Sequence, residues 1–289
     1  MPISSLKRFA IGNLPALLII ISVSGCASLG EKVDFADSEQ SIPEIDQILQ
    51  DLDSNDRLVH SFQGRGIFIL ESPEFDGKRK FRGNLKFQRP ASLYVQGTKL
   101  GGAIIVFRMI SLEQQFLMEF PGDKERSFYQ IEGQEFEDIP FSVSPSDIAR
   151  EMFLPETWGE VRKRSMTIIS FDQDTGILVV EMTQRRRIHR RLELQQLDAD
   201  APRWVITRNI RFDSNGEILA TTTLENFTRV GETLFPGKVD AYFPTEDTRM
   251  TFTMRNIRLN TDIDPSTFDI LARARELNLQ RRSADSPDP

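Results

Sequence analysis

The chain is expected to fold as a mainly β, α+β domain: a strongly curved antiparallel sheet or incomplete β-barrel of about 11–13 strands with two or three covering helices. Three observations predict it. From about Leu58 the apolar residues recur with period two. The alternating segments are short and separated by turn residues. Helical spacing is confined to two amphipathic stretches, one before the first long strand and one near the middle. An antiparallel meander of this length must curl or close to hide its edges, and the helices would cover its open side.

The elements follow in order, beginning with an export signal over residues 1–25. Lys7 and Arg8 precede an apolar run, Phe9–Val23, thinned only by Gly12, Asn13, Pro15 and Ser22 and densest over Ala16–Ile21. The run is too short to cross roughly 30 Å of hydrocarbon, which takes about 20 apolar residues, and it has the length of a signal's hydrophobic core. Val23-Ser24-Gly25-Cys26 then resembles the bacterial lipobox, so Cys26 is the expected lipid-attachment residue and the first residue of the mature chain. Ala27 follows it instead of Asp, which resembles the sorting rule for the outer membrane and implies a lipid-anchored protein on its periplasmic face. The cysteine is the only one in the chain, which excludes an internal disulfide. Residues 26–40 read as the acylated cysteine and a polar, acidic, flexible tether. Residues 41–270 read as a single half-barrel domain, and 271–289 as a partly disordered tail.

Ser41 and Glu44 form a capping-box pair with Pro43 in the first turn, and Ile45, Ile48, Leu49 and Leu52 give the helix one apolar face. Strands are expected over Phe62–Leu70, Lys80–Phe87, Ser92–Gln96, Ala103–Ile110, Gln115–Phe120 and Arg126–Ile131. A second helix starts at Ser144-Pro145, with Ile148, Ala149, Met152 and Phe153 on its apolar face. Strands resume at Ser165–Phe171, Gly176–Gln184, Arg187–Gln196, Trp204–Phe212, Glu217–Phe227, Lys238–Phe243 and Arg249–Leu259. Asn215-Gly216 is a strong hairpin signal. A short helical turn can begin at Asp264-Pro265.

Composition narrows the function. Removal of Lys7 and Arg8 with the signal leaves 34 basic against 43 acidic residues, a net charge of −9. Such a chain gains nothing from phosphate backbones, so nucleic acid is not an expected partner. Phe occurs 21 times against three Tyr and two Trp. Phe has no polar handle and belongs in a core or an apolar cavity. The alternating Phe81, Leu85, Phe87, Leu93 and Val95, with Phe107, Phe116, Met118 and Phe120, are candidates to line such a cavity, or they simply fill the core. Arg185-Arg186-Arg187-Ile188-His189-Arg190-Arg191 is a basic run in an acidic chain. On a strand, Arg185, Arg187 and Arg191 share a face and are candidates to hold lipid phosphates or an acidic partner; the alternative is a solvated strand paired with nearby carboxylates. His60 and His189 are the only histidines and lack ligand partners at useful spacing, no Gly-x-Ser-x-Gly elbow occurs, and the acids show no paired signature. No catalytic residue, metal or cofactor is predicted, and the chain is not expected to be an enzyme.

Residues 45–262 resemble the LolA/LolB group of periplasmic lipoprotein carriers, on the LolB side because of the lipobox. The stretches that carry this are Phe62–Leu70, Phe81–Pro90 with Ser92–Val95, Leu100-Gly101-Gly102, Ile139–Pro155, Phe235-Pro236 and Met250–Leu259. The segment Asp172–Pro202 and the tail beyond Asp264 depart from the group by length and basicity. The resemblance implies a half-open barrel under helices that holds acyl chains of lipids or lipoproteins, a periplasmic carrier as a partner, and membrane contact through Leu100. The same fold also suits a non-catalytic envelope scaffold or sensor that binds a protein partner.

Overall fold

Period-two alternation builds one long meander in the computed structural model, which describes residues 31–32, 44–73, 77–90, 92–99, 102–112, 115–123, 127–130, 165–197 and 203–279. The signal, Cys26, Leu100 and the helix expected from Ser144 lie outside the described residues. The strands are β1 (Glu31–Lys32), β2 (Ser61–Ser72), β3 (Gly77–Gln88), β4 (Ser92–Lys99), β5 (Ile104–Leu112), β6 (Gln115–Glu119), β7 (Phe128–Gln130), β8 (Met166–Asp172), β9 (Ile177–Gln184), β10 (Arg187–Leu197), β11 (Arg203–Phe212), β12 (Ile218–Val230), β13 (Thr233–Phe243) and β14 (Thr248–Leu259). They form a 14-stranded antiparallel sheet in the order β7-β6-β5-β4-β3-β2-β14-β13-β12-β11-β10-β9-β8, with β1 paired to β12. The β7 and β8 ends do not pair with each other, so the barrel is incomplete. The first strand of the meander pairs with the last, Phe62 opposite Leu259 and Glu71 opposite Arg249.

One face of the curved sheet holds the main core. Gly83, Leu85 and Phe87 of β3, Leu178, Val180 and Met182 of β9, and Val239, Ala241 and Phe243 of β13 alternate inward and are buried. Helix α1 (Ile45–Arg57) lies on this face, burying Ile48 and Leu52 in the same cluster, with Ile45 and Leu49 packed against it. The expected capping box is corrected: Glu44 is itself the N-cap, with no side-chain cap bond, one turn later than the Ser41–Glu44 pairing required.

Two further departures have physical reasons. Strand β13 begins at Thr233, not Lys238, because Pro236 pairs with Phe227 of β12 while β14 joins β13 only from Lys238 onward. The missing N–H of Pro236 therefore interrupts no ladder on the other side. Beyond the expected turn (Pro265–Phe268), helix α2 (Ile270–Leu277) occupies what reads in the sequence as tail. Asp269 caps it by accepting from Ala272 N (2.8 Å), and Asn278, left-handed at φ 54°, ends it. Ile270 and Ala274 are buried with Ile110 and Leu117, which point away from the main core. So α2 covers the outer face of β4–β7, not the open side. Glu119, whose side chain is only 3 % exposed, clamps it: its oxygens accept from Arg108 (2.7 and 3.0 Å) and from Arg273 (3.0 and 2.7 Å).

Candidate functional site

Among the described residues, neighbouring strands also part inside the sheet, around the β12–β13 hairpin. β11 follows β12 only to Arg208–Thr223, and β14 follows β13 only from Lys238–Thr253. The end of the β12–β13 hairpin, Leu224 to Gly237, thus leaves both long neighbours. Glu31–Lys32 pair along its β12 side, at Arg229 and Thr228. Parted strands leave backbone groups without a ladder, and these must find other partners. Helix α1 supplies them. Asp51 accepts from Trp204 N of β11 (3.2 Å), while Asn55 accepts from Leu234 N (2.8 Å) and donates to Leu234 O (3.0 Å). The Asn55 amide copies a peptide group and stands in for the missing strand. A polar residue at these helix positions is therefore structural, whereas Ile48 and Leu52 provide the packing.

Between α1 and the hairpin lies a cavity of about 120 Å³, walled by Leu52, Phe62, Phe87, Trp204, Phe227 and Phe235. Phe62 stacks on Phe87 (5.4 Å between centroids) and meets Phe235 edge-on at 5.1 Å. At its mouth Arg89 pairs with Asp56 and donates to Val59 O (2.7 Å). Burial pushes the Asp56 carboxyl up, against the opposing pull of Arg89.

Of the residues singled out in the sequence, Phe87 lines this cavity. Leu85, Leu93, Val95, Phe107, Phe116 and Met118 are buried in the same core cluster, with Phe81 and Phe120 half-buried against it. Phe107 contacts Phe81 (5.3 Å) and Phe68 (6.0 Å), and Phe116 contacts Phe128 (5.8 Å). These rings form a continuous apolar wall on the inner face, with most of its surface already filled by neighbours. Phe62, Trp204, Phe227 and Phe235 are missed as cavity residues by sequence reasoning. The signal available was weak: Phe235 stands beside a Pro-Gly pair that reads as a breaker.

The basic run departs from its expected geometry. Arg185 and Arg186 are not on a strand; at φ 52° and 68° they form the two-residue β9–β10 turn. A register shift between Ile188 and Arg190 then reverses the alternation. Arg191 faces outward, paired with Glu181 (2.9 and 2.6 Å) and lying 5.7 Å from the Phe212 ring. Arg190, opposite Met182 and Arg211, is buried on the inner side. Arg185, Arg187 and Arg191 therefore do not share one face. Among the described residues, no cluster of three or more His, Cys, Asp or Glu has metal-binding geometry, and no helix is long and apolar enough to cross a membrane.

No family model and no curated relative matches the chain. Solved structures do. A LolA superfamily protein from Nitrosomonas europaea is 14 % identical, with 78 % of this chain and 98 % of that one covered at a TM-score of 0.50. A domain from Vibrio parahaemolyticus, titled for outer membrane lipoprotein sorting, is 10 % identical, with 78 % and 97 % covered at a TM-score of 0.50.

Proposed function

We propose, from the LolA/LolB-like fold that these structures share with the chain, that this is a non-catalytic lipoprotein of the bacterial outer membrane, anchored through Cys26 and facing the periplasm, which binds acyl chains of lipids or lipoproteins and passes them on by passive exchange. The observation that carries this reading is the aromatic-walled cavity under α1, a helix held in place by polar contacts. At about 120 Å³ it is smaller than the roughly 300–1,000 Å³ of working ligand pockets, so α1 must move for a chain to enter. The energies permit it. Three contacts of about 1 kcal/mol each, plus roughly 2 kcal/mol for each of the buried Ile48 and Leu52, hold the helix by about 7 kcal/mol. An acyl chain burying about ten methylenes at ~0.8 kcal/mol each returns a similar amount. Near balance is what exchange between carriers needs. Leu100 remains the proposed membrane-contact residue, and a periplasmic carrier the proposed donor.

Native mass spectrometry of the mature chain purified from a bacterial envelope tests this. Co-purifying acyl species are expected, lost in a folded Phe87→Asp variant together with binding of a fluorescent fatty acid. Bare protein that also fails to bind the fatty acid rejects the carrier. The second reading, an envelope scaffold or sensor for a protein partner, is favoured by the largely filled inner face and becomes the working model in that case.

A further inference from the structure

We propose that the adjacent tips of the β9–β10 and β11–β12 hairpins form a docking surface for anionic phospholipid headgroups. Arg185 and Arg186 are the two central residues of a turn closed by the Arg187–Gln184 pair, both with positive φ. That turn is the natural place for Asn-Gly; an arginine there brings its Cβ against the following carbonyl. The fold receives no ion pair in return: among the described residues no carboxylate pairs with Arg185 or Arg186. Backbone strain that no ion pair among the described residues offsets is a mark of a functional position. What it provides is two guanidinium groups at the apex of a hairpin. Arg187, also exposed, donates to Ser214 O in the next tip and ties the two together.

Apolar side chains stand beside these cations. Ile188 is 37 % exposed, Ile218 42 % and Leu219 37 %, on β10 and β12 with β11 between them. Two acids share the tip, Asp213 and Glu217; the backbone N–H groups of Glu217 (2.8 Å) and Asn215 (2.7 Å) engage the Asp213 carboxylate and hold it below its ordinary range, so it keeps its charge. Three arginines against two acids leave the tip positive on a chain of net charge −7. Guanidinium groups meet phosphates with paired hydrogen bonds, and aliphatic side chains next to them suit the headgroup–acyl boundary. A protein partner needs a complementary patch of about 800 Å² per side, which two narrow hairpin tips do not offer. A bilayer has no shape to match. The tip lies at the opposite end of β12 from the Glu31–Lys32 pairing, roughly 33 Å away at ~3.3 Å per residue. The chain from Cys26 to Glu44 spans about 60 Å when extended, longer than that separation.

The test uses the mature chain with Cys26→Ser, so that no lipid anchor contributes, in co-sedimentation with phosphatidylcholine vesicles with and without phosphatidylglycerol. Binding only to the anionic vesicles is expected, weakened by salt. The double variant Arg185→Asn, Arg186→Gly is chosen because it suits the turn better than the native pair: its Tm should rise while vesicle affinity falls by roughly five-fold per arginine. Its fluorescent fatty-acid binding should be unchanged, which keeps this inference separable from the acyl carrier. Equal affinity of variant and native chain for anionic vesicles overturns the proposal, as does a native chain that binds neither vesicle.

Discussion

Glu119 shows how much one residue can hold. Burial alone would raise its carboxyl pKa, but the hydrogen bonds from Arg273 and Arg108 outweigh burial and keep it lowered. Replacing it with Gln leaves two partly buried guanidinium groups facing each other, and a cost of about 3 kcal/mol is expected in urea unfolding, in line with breaking a buried pair. The sign of the pH effect follows. A depressed folded pKa stabilises above the unfolded value of about 4.3 and loses that contribution as pH falls through the folded value. Acid unfolding of the native chain should therefore steepen below about pH 4, and Glu119→Gln should flatten it. Gly97 is constrained in another way. A Cβ there would lie 2.1 Å from the Phe107 ring, so Gly97→Ala must push that ring off β4, at a cost of roughly 1–3 kcal/mol in unfolding free energy.

At the scale of elements, α1 is the piece whose attachment matters most. Asn55→Ala strands the N–H and C=O of Leu234, and an unsatisfied buried backbone group costs about 1–3 kcal/mol. Hydrogen exchange in α1 and at Leu234 should accelerate while that of β2 and β14 stays slow; uniform acceleration throughout would mean that α1 is not a separate unit. The strands were legible because burial on one face stamps alternation on the chain: Phe81, Leu85 and Phe87 announce β3 without any knowledge of its partners. α2 was not legible, since only Ile270 and Ala274 of its eight residues are buried, and Arg273, Arg275 and Glu276 lend it the polar look of a tail. Nor was the cavity, because Trp204 and Phe62 come to line one space only after β11 parts from β12, and no local spacing records that parting. The basic run misled for a similar reason: alternation assumes an unbroken strand, and the turn at Arg185-Arg186 with the bulge after Ile188 breaks it twice.

For the whole molecule, the expected curved sheet with helices on it is present, and among the described residues one α-helix lies inside the curve and one outside it. Ending the chain at Asn260 would remove α2 and uncover Ile110 and Leu117. A hydrophobic dye should bind the truncated chain strongly and the full chain weakly, while both retain the β signature in circular dichroism. The seam between β2 and β14 carries a different consequence, one of time. β2 comes early in the chain and its partner near the end, with Phe62 opposite Leu259. A chain emerging from its N-terminus can zip β2 through β7 and later β8 through β13 by neighbouring hairpins, yet the two halves stay unjoined until residues 248–259 arrive. Until then β2 and β13 each present a raw edge, and joining them closes a very large loop, which is the slow kind of contact to form. Refolding should thus show a fast gain of strand signal followed by a late, rate-limiting docking of β14, and the vulnerable species for aggregation is the chain that has made both halves and not yet the seam.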